Sequence, residues 1–268
     1  MQFDFHYCGT YSLARMAGLS PDDARRIAVA AQLVDELDVS SVAPAHPEGA
    51  RFTFRATAHK TTMASLPQLR DPVDQIAVWV PFHFLPGGIG GELSEKLVCV
   101  PADDPKNSVA PAVRSFALEN KGREYGLEML GIAAHVLADT FAHQGFSGVS
   151  SRRNRVASES IEMKGQSGLQ DLLLAFFRKH GFQGGLIENF RPAVSWISDL
   201  AEGSTGALGH GAVATCPDLP YLDWSFRYEL DMGRSSPNVL RRNPQEFDRA
   251  CRYLVSLFRR CAGLAGGE

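Results

Sequence analysis

A short segment of the chain carries three side chains with the spacing of metal ligands. His135, Asp139 and His143 lie four residues apart in the apolar stretch His-Val-Leu-Ala-Asp-Thr-Phe-Ala-His. The apolar residues predict a buried helix, on which positions four apart differ by about 40° around the axis. The three side chains therefore leave from one side of the helix. The commoner role of a single histidine in such a helix is a hydrogen-bonded core residue, but two histidines that bracket an aspartate favour metal binding.

One helix cannot complete a metal site, so further ligands must come from the other histidines and acidic residues. His6 lies in an apolar first helix, where a ligand and a core histidine are equally reasonable interpretations. Asp35 follows an apolar run near the end of the second helix, where the helix dipole disfavours a carboxylate and a partner cation is expected. His83 lies in an apolar stretch bounded by prolines, without a helical pattern, which favours a ligand.

A later pair of residues is a weaker candidate. His210 is flanked by Gly209 and Gly211, which let the backbone approach a site closely, and Asp218 follows in Cys-Pro-Asp-Leu-Pro. A metal site and an ordinary loop remain equally open for this pair. The remaining histidines have surface-like surroundings and are not expected to be metal ligands: His46, His59 and His180.

The apolar pattern predicts a mainly α protein, with residues 1–268 forming a single compact helical metal-binding domain. The predicted helices cover about residues 4–17, 21–37, 108–119, 123–143, 169–180, 188–201 and 244–264. Residues 39–97 lose the helical period and predict a long irregular, partly extended insertion, in which 51–55 alternates like a strand. Ser20 is the predicted N-cap of the second helix, and Asn243 and Glu246 are predicted to cap the last one.

Composition restricts the function classes. The net charge of −3 gives no basic field for generic nucleic-acid binding, so no stable nucleic-acid partner is expected. The five cysteines are odd in number and contain no C-x-x-C pair, which argues against a disulfide framework and a zinc ribbon. The first residues lack the features of a signal peptide, and no stretch approaches 18 uninterrupted apolar residues. A cytoplasmic protein without a transmembrane segment is therefore expected.

Taken in chain order, the candidate ligands resemble those of the zinc-dependent phospholipase C and single-strand-specific zinc nuclease superfamily, all-α enzymes with three clustered metal ions. The resemblance implies a hydrolase with two or three zinc ions that acts on a phosphoester or phosphodiester. It implies three ligand sets, two of which share a bridging aspartate: His6 with Asp139; Asp35 with His83, His135 and Asp139; and His143 with His210 and Asp218. The opening Asp-Phe-His-Tyr and the motif His-x-x-x-Asp-x-x-x-His also resemble an uncharacterised bacterial family, over nearly the whole chain.

Three features depart from the superfamily pattern. In those enzymes the second histidine of the metal helix usually follows the aspartate by six residues, with a proline between, whereas His143 follows Asp139 by four. The helix is therefore expected to continue where theirs breaks. Their mature N-terminal amine is also a ligand; here the chain starts at Met1, and Asp4 is expected in that place. The late acid lies eight residues after His210 rather than three or four.

Clustered divalent ions would lower the pKa of a water molecule to about 7 and hold the oxygens of a phosphate ester, while Asp35 could accept a proton. Asp35 and Asp139 are thus the predicted catalytic carboxylates. The substrate class, whether lipid, nucleotide or nucleic acid, stays open. Three loop arginines could orient its phosphate, although solvated charges are the commoner alternative: Arg152, Arg153 and Arg155.

Other classes of protein are consistent with the same residues. A non-catalytic helical protein with a structural or sensory metal site stays open. A His-Asp dyad phosphohydrolase is disfavoured because no adjacent His-Asp pair occurs in the chain. A di-iron bundle is disfavoured because the chain lacks a repeated Glu-x-x-His motif. Two or three zinc ions per chain would support the hydrolase, and one would support structural binding.

Overall fold

The computed structural model describes residues 1–37, 41–44, 51–54, 57, 71–88, 97–164, 208–213, 215–230 and 234–263. Helices predominate in these ranges, which confirms the predicted mainly α class. The helices predicted over 169–180 and 188–201 lie outside the described residues, as do three histidines: His46, His59 and His180. No described helix has both the length and the apolar character needed to cross a membrane.

Six helices and five strands occur within the described ranges. The helices are α1 (π-helical Asp4–Gly9 continued by Thr10–Met16), α2 (Pro21–Glu36), α3 (Pro72–Asp74 continued by π-helical Gln75–His83), α4 (Ala110–Glu119), α5 (Gly126–Ala142) and α6 (Asn243–Cys261). The strands are β1 (Ser41–Pro44), β2 (Arg51–Phe54), β3 (Glu162–Lys164), β4 (Asp223–Phe226) and β5 (Val239–Arg242). β1 pairs with β2, and β3, β4 and β5 form an antiparallel sheet in that order.

Helix α5 is the most deeply buried element of the helical core. It packs against α2, α4 and α6, and α1 packs against α2 and α6. Every residue from Ala133 to Ala142 is buried, which agrees with the buried helix expected around the ligand motif. The close packing of α2 on α5 depends on Gly131, because a Cβ at this position would lie 2.3 Å from the carbonyl oxygen of Ile27. This close approach brings Asp35 on α2 near His135 on α5.

The N-terminus of α2 follows the sequence prediction. Ser20 Oγ accepts a hydrogen bond from the amide of Asp23 at 3.1 Å, and Pro21 occupies the first helical position. The strand predicted over 51–55 is also confirmed, as β2.

Residues 75–83 correct the prediction of an irregular insertion over 39–97, because they form the π-helical part of α3. Pro81 lies inside this helix. A proline in an α-helix removes one hydrogen bond and collides with the carbonyl four residues earlier. The sequence therefore predicted no helix in this segment. The π-helix moves the bonding to the fifth residue, as in the bond from the Phe84 amide to the Trp79 carbonyl at 2.9 Å. His83 therefore ends a helix instead of lying in an extended stretch.

A second apolar cluster joins α3 to the three-stranded sheet. Its largest members are aromatic and buried: Trp79, Phe84, Phe146, Trp224 and Phe226. Trp79 and Phe84 thus belong to the core.

Candidate metal centre

The structure brings the eight predicted ligand side chains into one group, in which each has an imidazole nitrogen or carboxylate oxygen within 3.9 Å of another member. They come from four helices and two short turns: His6 from α1, Asp35 from α2, His83 from α3, His135 and Asp139 from α5, His143 from its end, His210 and Asp218 from the turns before β4. Six of the eight are buried. Asp35 and His210 keep side-chain exposures of 19% and 17%, so solvent reaches the group at these two residues.

Four side chains lie close together, and five of the six distances between their ligand atoms are known. His83 Nδ1 lies 3.4 Å from His135 Nε2. Asp139 Oδ2 lies 3.3 Å from the same His135 atom and 3.7 Å from His83 Nδ1. Asp35 Oδ1 lies 3.8 Å and 3.7 Å from these two nitrogens. Bonds of about 2.0–2.1 Å around a tetrahedral zinc ion separate its ligand atoms by about 3.4 Å, so these residues fit zinc.

Hydrogen bonds to the backbone decide which ring nitrogens face the group. His83 Nε2 donates to the carbonyl of Thr57 at 2.7 Å, and His143 Nδ1 donates to the carbonyl of His83 at 2.6 Å. The opposite nitrogens, His83 Nδ1 and His143 Nε2, therefore face the group. His143 Nε2 lies 3.3 Å from Asp218 Oδ1. Metal-binding histidines are commonly oriented by such bonds to carbonyls.

Asp139 contacts two parts of the group with its two oxygens. Oδ2 faces His83 and His135, whereas Oδ1 lies 3.1 Å from His6 Nε2 and 2.7 Å from the α-amino group of Met1. This is the arrangement that a bridging carboxylate requires. His6 is fully buried, and neither of its ring nitrogens makes a hydrogen bond within the described part of the chain. Buried nitrogens without a hydrogen bond are available to a metal ion.

The α-amino group of Met1 takes the place that the sequence assigned to Asp4. Its nitrogen lies 2.7 Å from Asp139 Oδ1, 3.2 Å from Asp218 Oδ1 and 3.4 Å from His143 Nε2, so each of its three protons faces an acceptor. The Met1 side chain is 5% exposed and belongs to the helical core, which draws the amine inward. Asp4 is exposed and accepts a hydrogen bond from the amide of Phe5 at 2.9 Å. The prediction for Asp4 was therefore wrong.

Burial and neighbouring charges both shift the pKa values of the residues in the group. Burial alone would lower the pKa of the Met1 amine, but the neighbouring carboxylates outweigh burial and raise this pKa to about 11. Burial opposes ionisation of Asp139 and Asp218, yet the Met1 ammonium holds both pKa values well below the usual range. Burial and the adjacent His135 lower the pKa of His6 to about 4, so at pH 7 His6 is in the neutral form that binds metals. Two ionised buried carboxylates thus share one ammonium, which favours the entry of further positive charge.

The third set consists of His143, His210 and Asp218, whose ligand atoms lie within 4.8 Å of one another. His143 is the C-cap of α5, and its amide donates to the carbonyl of Asp139 at 2.8 Å, so the helix continues past Asp139 as expected. Gly209 has a φ of +56°, and a Cβ at this position would lie 2.4 Å from the Phe84 ring. A glycine is therefore required beside His210, as the flanking glycines suggested.

The sequence predicts roles for two further groups of polar residues, the three loop arginines and the cap of the last helix. The three loop arginines lie in and beside the short turn Arg152–Asn154 and are exposed, and their predicted role toward a phosphate stays a prediction. The predicted cap of the last helix was wrong, because α6 begins at Asn243 and no side chain caps it. Asn243 and Glu246 are buried beside Arg241 instead. Their burial depends on tertiary packing, and the capping pattern in the sequence concealed it.

The chain has no match among curated proteins and none among solved structures. The likeness to the zinc phospholipase C and nuclease superfamily therefore rests on the ligand pattern alone. The model of a family of unknown function (DUF6765) matches residues 1–267, which agrees with the expected likeness to an uncharacterised family over nearly the whole length. The chain belongs to this family of unknown function.

Proposed function

We propose that the protein is a metal-dependent hydrolase, with two or three zinc ions, that acts on a phosphoester or phosphodiester. The observation that carries the proposal is the presence of three adjoining donor sets, each with ligand atoms within 4.8 Å of one another: His6, Asp35 and His135; His83, His135 and Asp139; and His143, His210 and Asp218. A structural zinc ion needs only four donors. The eight side chains and the amine of this group are more than one structural ion requires, whereas adjacent divalent ions are typical of enzymes that cleave phosphate esters.

The bound ions would supply an acidified water molecule and positive charge at the phosphate oxygens. The residues of the chain have distinct parts in this chemistry. His83 and His143 are held by carbonyls with the other ring nitrogen turned toward the donor residues, and Asp139 contacts both His6 and His135. Asp35 is the most exposed of the three carboxylates, at 19% against 9% for Asp218 and 1% for Asp139, and would accept a proton from the attacking water. The substrate would approach on the solvent-facing side of Asp35 and His210.

Hydrolysis of bis-p-nitrophenyl phosphate tests this function. The zinc-loaded wild-type protein is expected to release p-nitrophenol, and Asp35→Asn is expected to lower the rate at least about a hundredfold, since the amide neither binds metal as a carboxylate does nor accepts the proton. Asp22→Asn is the matched control, because Asp22 lies on the same helix with its side chain 90% exposed. Its rate is expected to equal that of the wild type. Zinc-loaded wild-type protein that turns over neither this diester nor p-nitrophenyl phosphate would contradict the hydrolase and leave metal binding alone.

A further inference from the structure

The junction between β5 and α6 carries three buried polar side chains that belong to none of the donor sets. Arg241, Asn243 and Glu246 are 3%, 0% and 8% exposed. We refer to these three residues as the junction triad. A buried arginine, amide and carboxylate next to one another are costly unless each finds partners, so their partners indicate what the triad does.

Arg241 holds the end of α5. Its Nη2 donates to the carbonyls of Ala142 at 2.7 Å and Phe141 at 3.2 Å, and its Nη1 donates to the carbonyl of Gln144 at 3.3 Å. The last carbonyls of a helix have no partner within the helix, and the guanidinium supplies one. These carbonyls lie on both sides of His143 in the chain, so one side chain fixes the backbone around this ligand.

Glu246 orients the guanidinium of Arg241. Its carboxylate accepts hydrogen bonds from Arg241 Nε at 2.9 Å and 3.1 Å, and a further one from Nη2. The ring of Trp224 lies 5.6 Å from the guanidinium carbon. The hydrogen bonds to both oxygens of Glu246 and the contact with the Trp224 ring together hold the guanidinium of Arg241 in one orientation.

Asn243 holds the turn that carries Asp218. Its Nδ2 donates to the carbonyls of Cys216 at 2.6 Å and Leu219 at 2.8 Å, while its Oδ1 accepts from the indole of Trp224 at 3.0 Å. The turn Cys216–Asp218 lies between these two carbonyls. Both amide protons of Asn243 are thereby used to fix this turn, and the Trp224 indole holds the amide oxygen.

We propose that the junction triad is a positioning element that sets the metal affinity of the third donor set by fixing His143 relative to Asp218. Among the described residues, the hydrogen bonds of the triad reach the segments of these two ligands and none of the segments that carry His6, Asp35 and His83. The inference rests on the proposed function only in requiring that metal binds to this set. Loss of the triad is expected to weaken one ion and to leave the other donor sets intact.

Stepwise Co²⁺ binding to the metal-free protein, followed by its visible absorption and by calorimetry, tests the proposal. Asn243→Asp keeps the size and the bond to Trp224 but turns an acceptor toward the carbonyls of Cys216 and Leu219. One binding step is expected to weaken about 10–100-fold, which is the usual effect of losing a residue that orients a ligand, while the other steps stay within about twofold. Glu246→Gln, which removes the charge that orients Arg241, is expected to weaken the same step, and serves if Asn243→Asp does not fold.

Two controls on α6 separate positioning from general destabilisation. Leu254→Ala removes a fully buried side chain and lowers the melting temperature without touching the triad. Arg252→Lys alters an exposed ion pair with Asp248. Both are expected to bind Co²⁺ as the wild type does.

The inference is overturned if Asn243→Asp and Glu246→Gln leave every binding step unchanged, or if Leu254→Ala weakens the same step. A wild-type protein that binds no metal would overturn this inference and the proposed function together, whereas metal binding with unchanged triad variants would overturn the inference alone.

Discussion

Replacement of Asp139 by alanine is expected to remove at least one bound metal ion and to lower the free energy of unfolding by about 3–5 kcal/mol, the range for breaking a buried ion pair. Asp139 is 1% exposed, and its carboxylate lies 2.7 Å from the Met1 ammonium and 3.1 Å from His6. The substitution leaves the ammonium in the interior without its nearest counter-charge. Zinc content and urea unfolding of the two proteins, each with and without chelator, measure both effects.

Asp103→Asn is the control for Asp139→Ala, because it removes a carboxylate whose side chain is 33% exposed and whose partner is an arginine on the surface. Exposed ion pairs contribute about 0–1 kcal/mol, so its unfolding curve and zinc content are expected to match the wild type. An Asp139→Ala protein with unchanged zinc content and melting temperature would contradict the central position of this carboxylate.

Addition of two residues, Gly-Ser, before Met1 is expected to lower the bound zinc by about one equivalent and the free energy of unfolding by about 3 kcal/mol. The extension converts the amine, the ligand that the resemblance implies, into an amide that cannot bind a metal ion, and forces extra chain into a place where Met1 is 5% exposed. The contacts of the charged nitrogen with Asp139 and Asp218, at 2.7 Å and 3.2 Å, are lost. Metal analysis and thermal unfolding of both proteins measure the effect.

The same dipeptide added after Glu268 is the control, and is expected to leave both quantities unchanged because it leaves the Met1 amine unmodified. An N-terminal extension that retains the full zinc content and the melting temperature of the wild type would show that the Met1 amine contributes neither as a counter-charge nor as a ligand. Mass spectrometry of the purified chains would verify that the added residues are still present.

The parts of the site that the sequence predicts are those fixed by local geometry. His135 and Asp139 lie one turn apart on a helix, so their convergence follows from the helical repeat alone. The contacts of His6 and Asp35 with this pair required tertiary packing, but their apolar surroundings marked them as unusual positions for polar side chains. The mainly α class follows in the same way from the apolar period.

The parts that the sequence does not predict depend on contacts between distant segments. The Met1 amine enters the site because the methionine side chain is drawn into the helical core, and nothing in the neighbouring residues signals this. Pro81 argued against a helix that the structure forms with wider turns. Asn243 fitted the pattern of a helix cap, yet its side-chain amide donates hydrogen bonds to two carbonyls in the turn before β4. In each case a tertiary contact outweighed the local preference.

The measurement that tests the central claim most directly is the metal content of the wild-type protein, purified without chelator and analysed by plasma mass spectrometry alongside its exact protein concentration. Two or three equivalents of zinc per chain are expected, since the described side chains form three adjoining donor sets. One equivalent would indicate a structural site and contradict the clustered centre. No bound metal, and none taken up from added zinc, would contradict metal binding altogether.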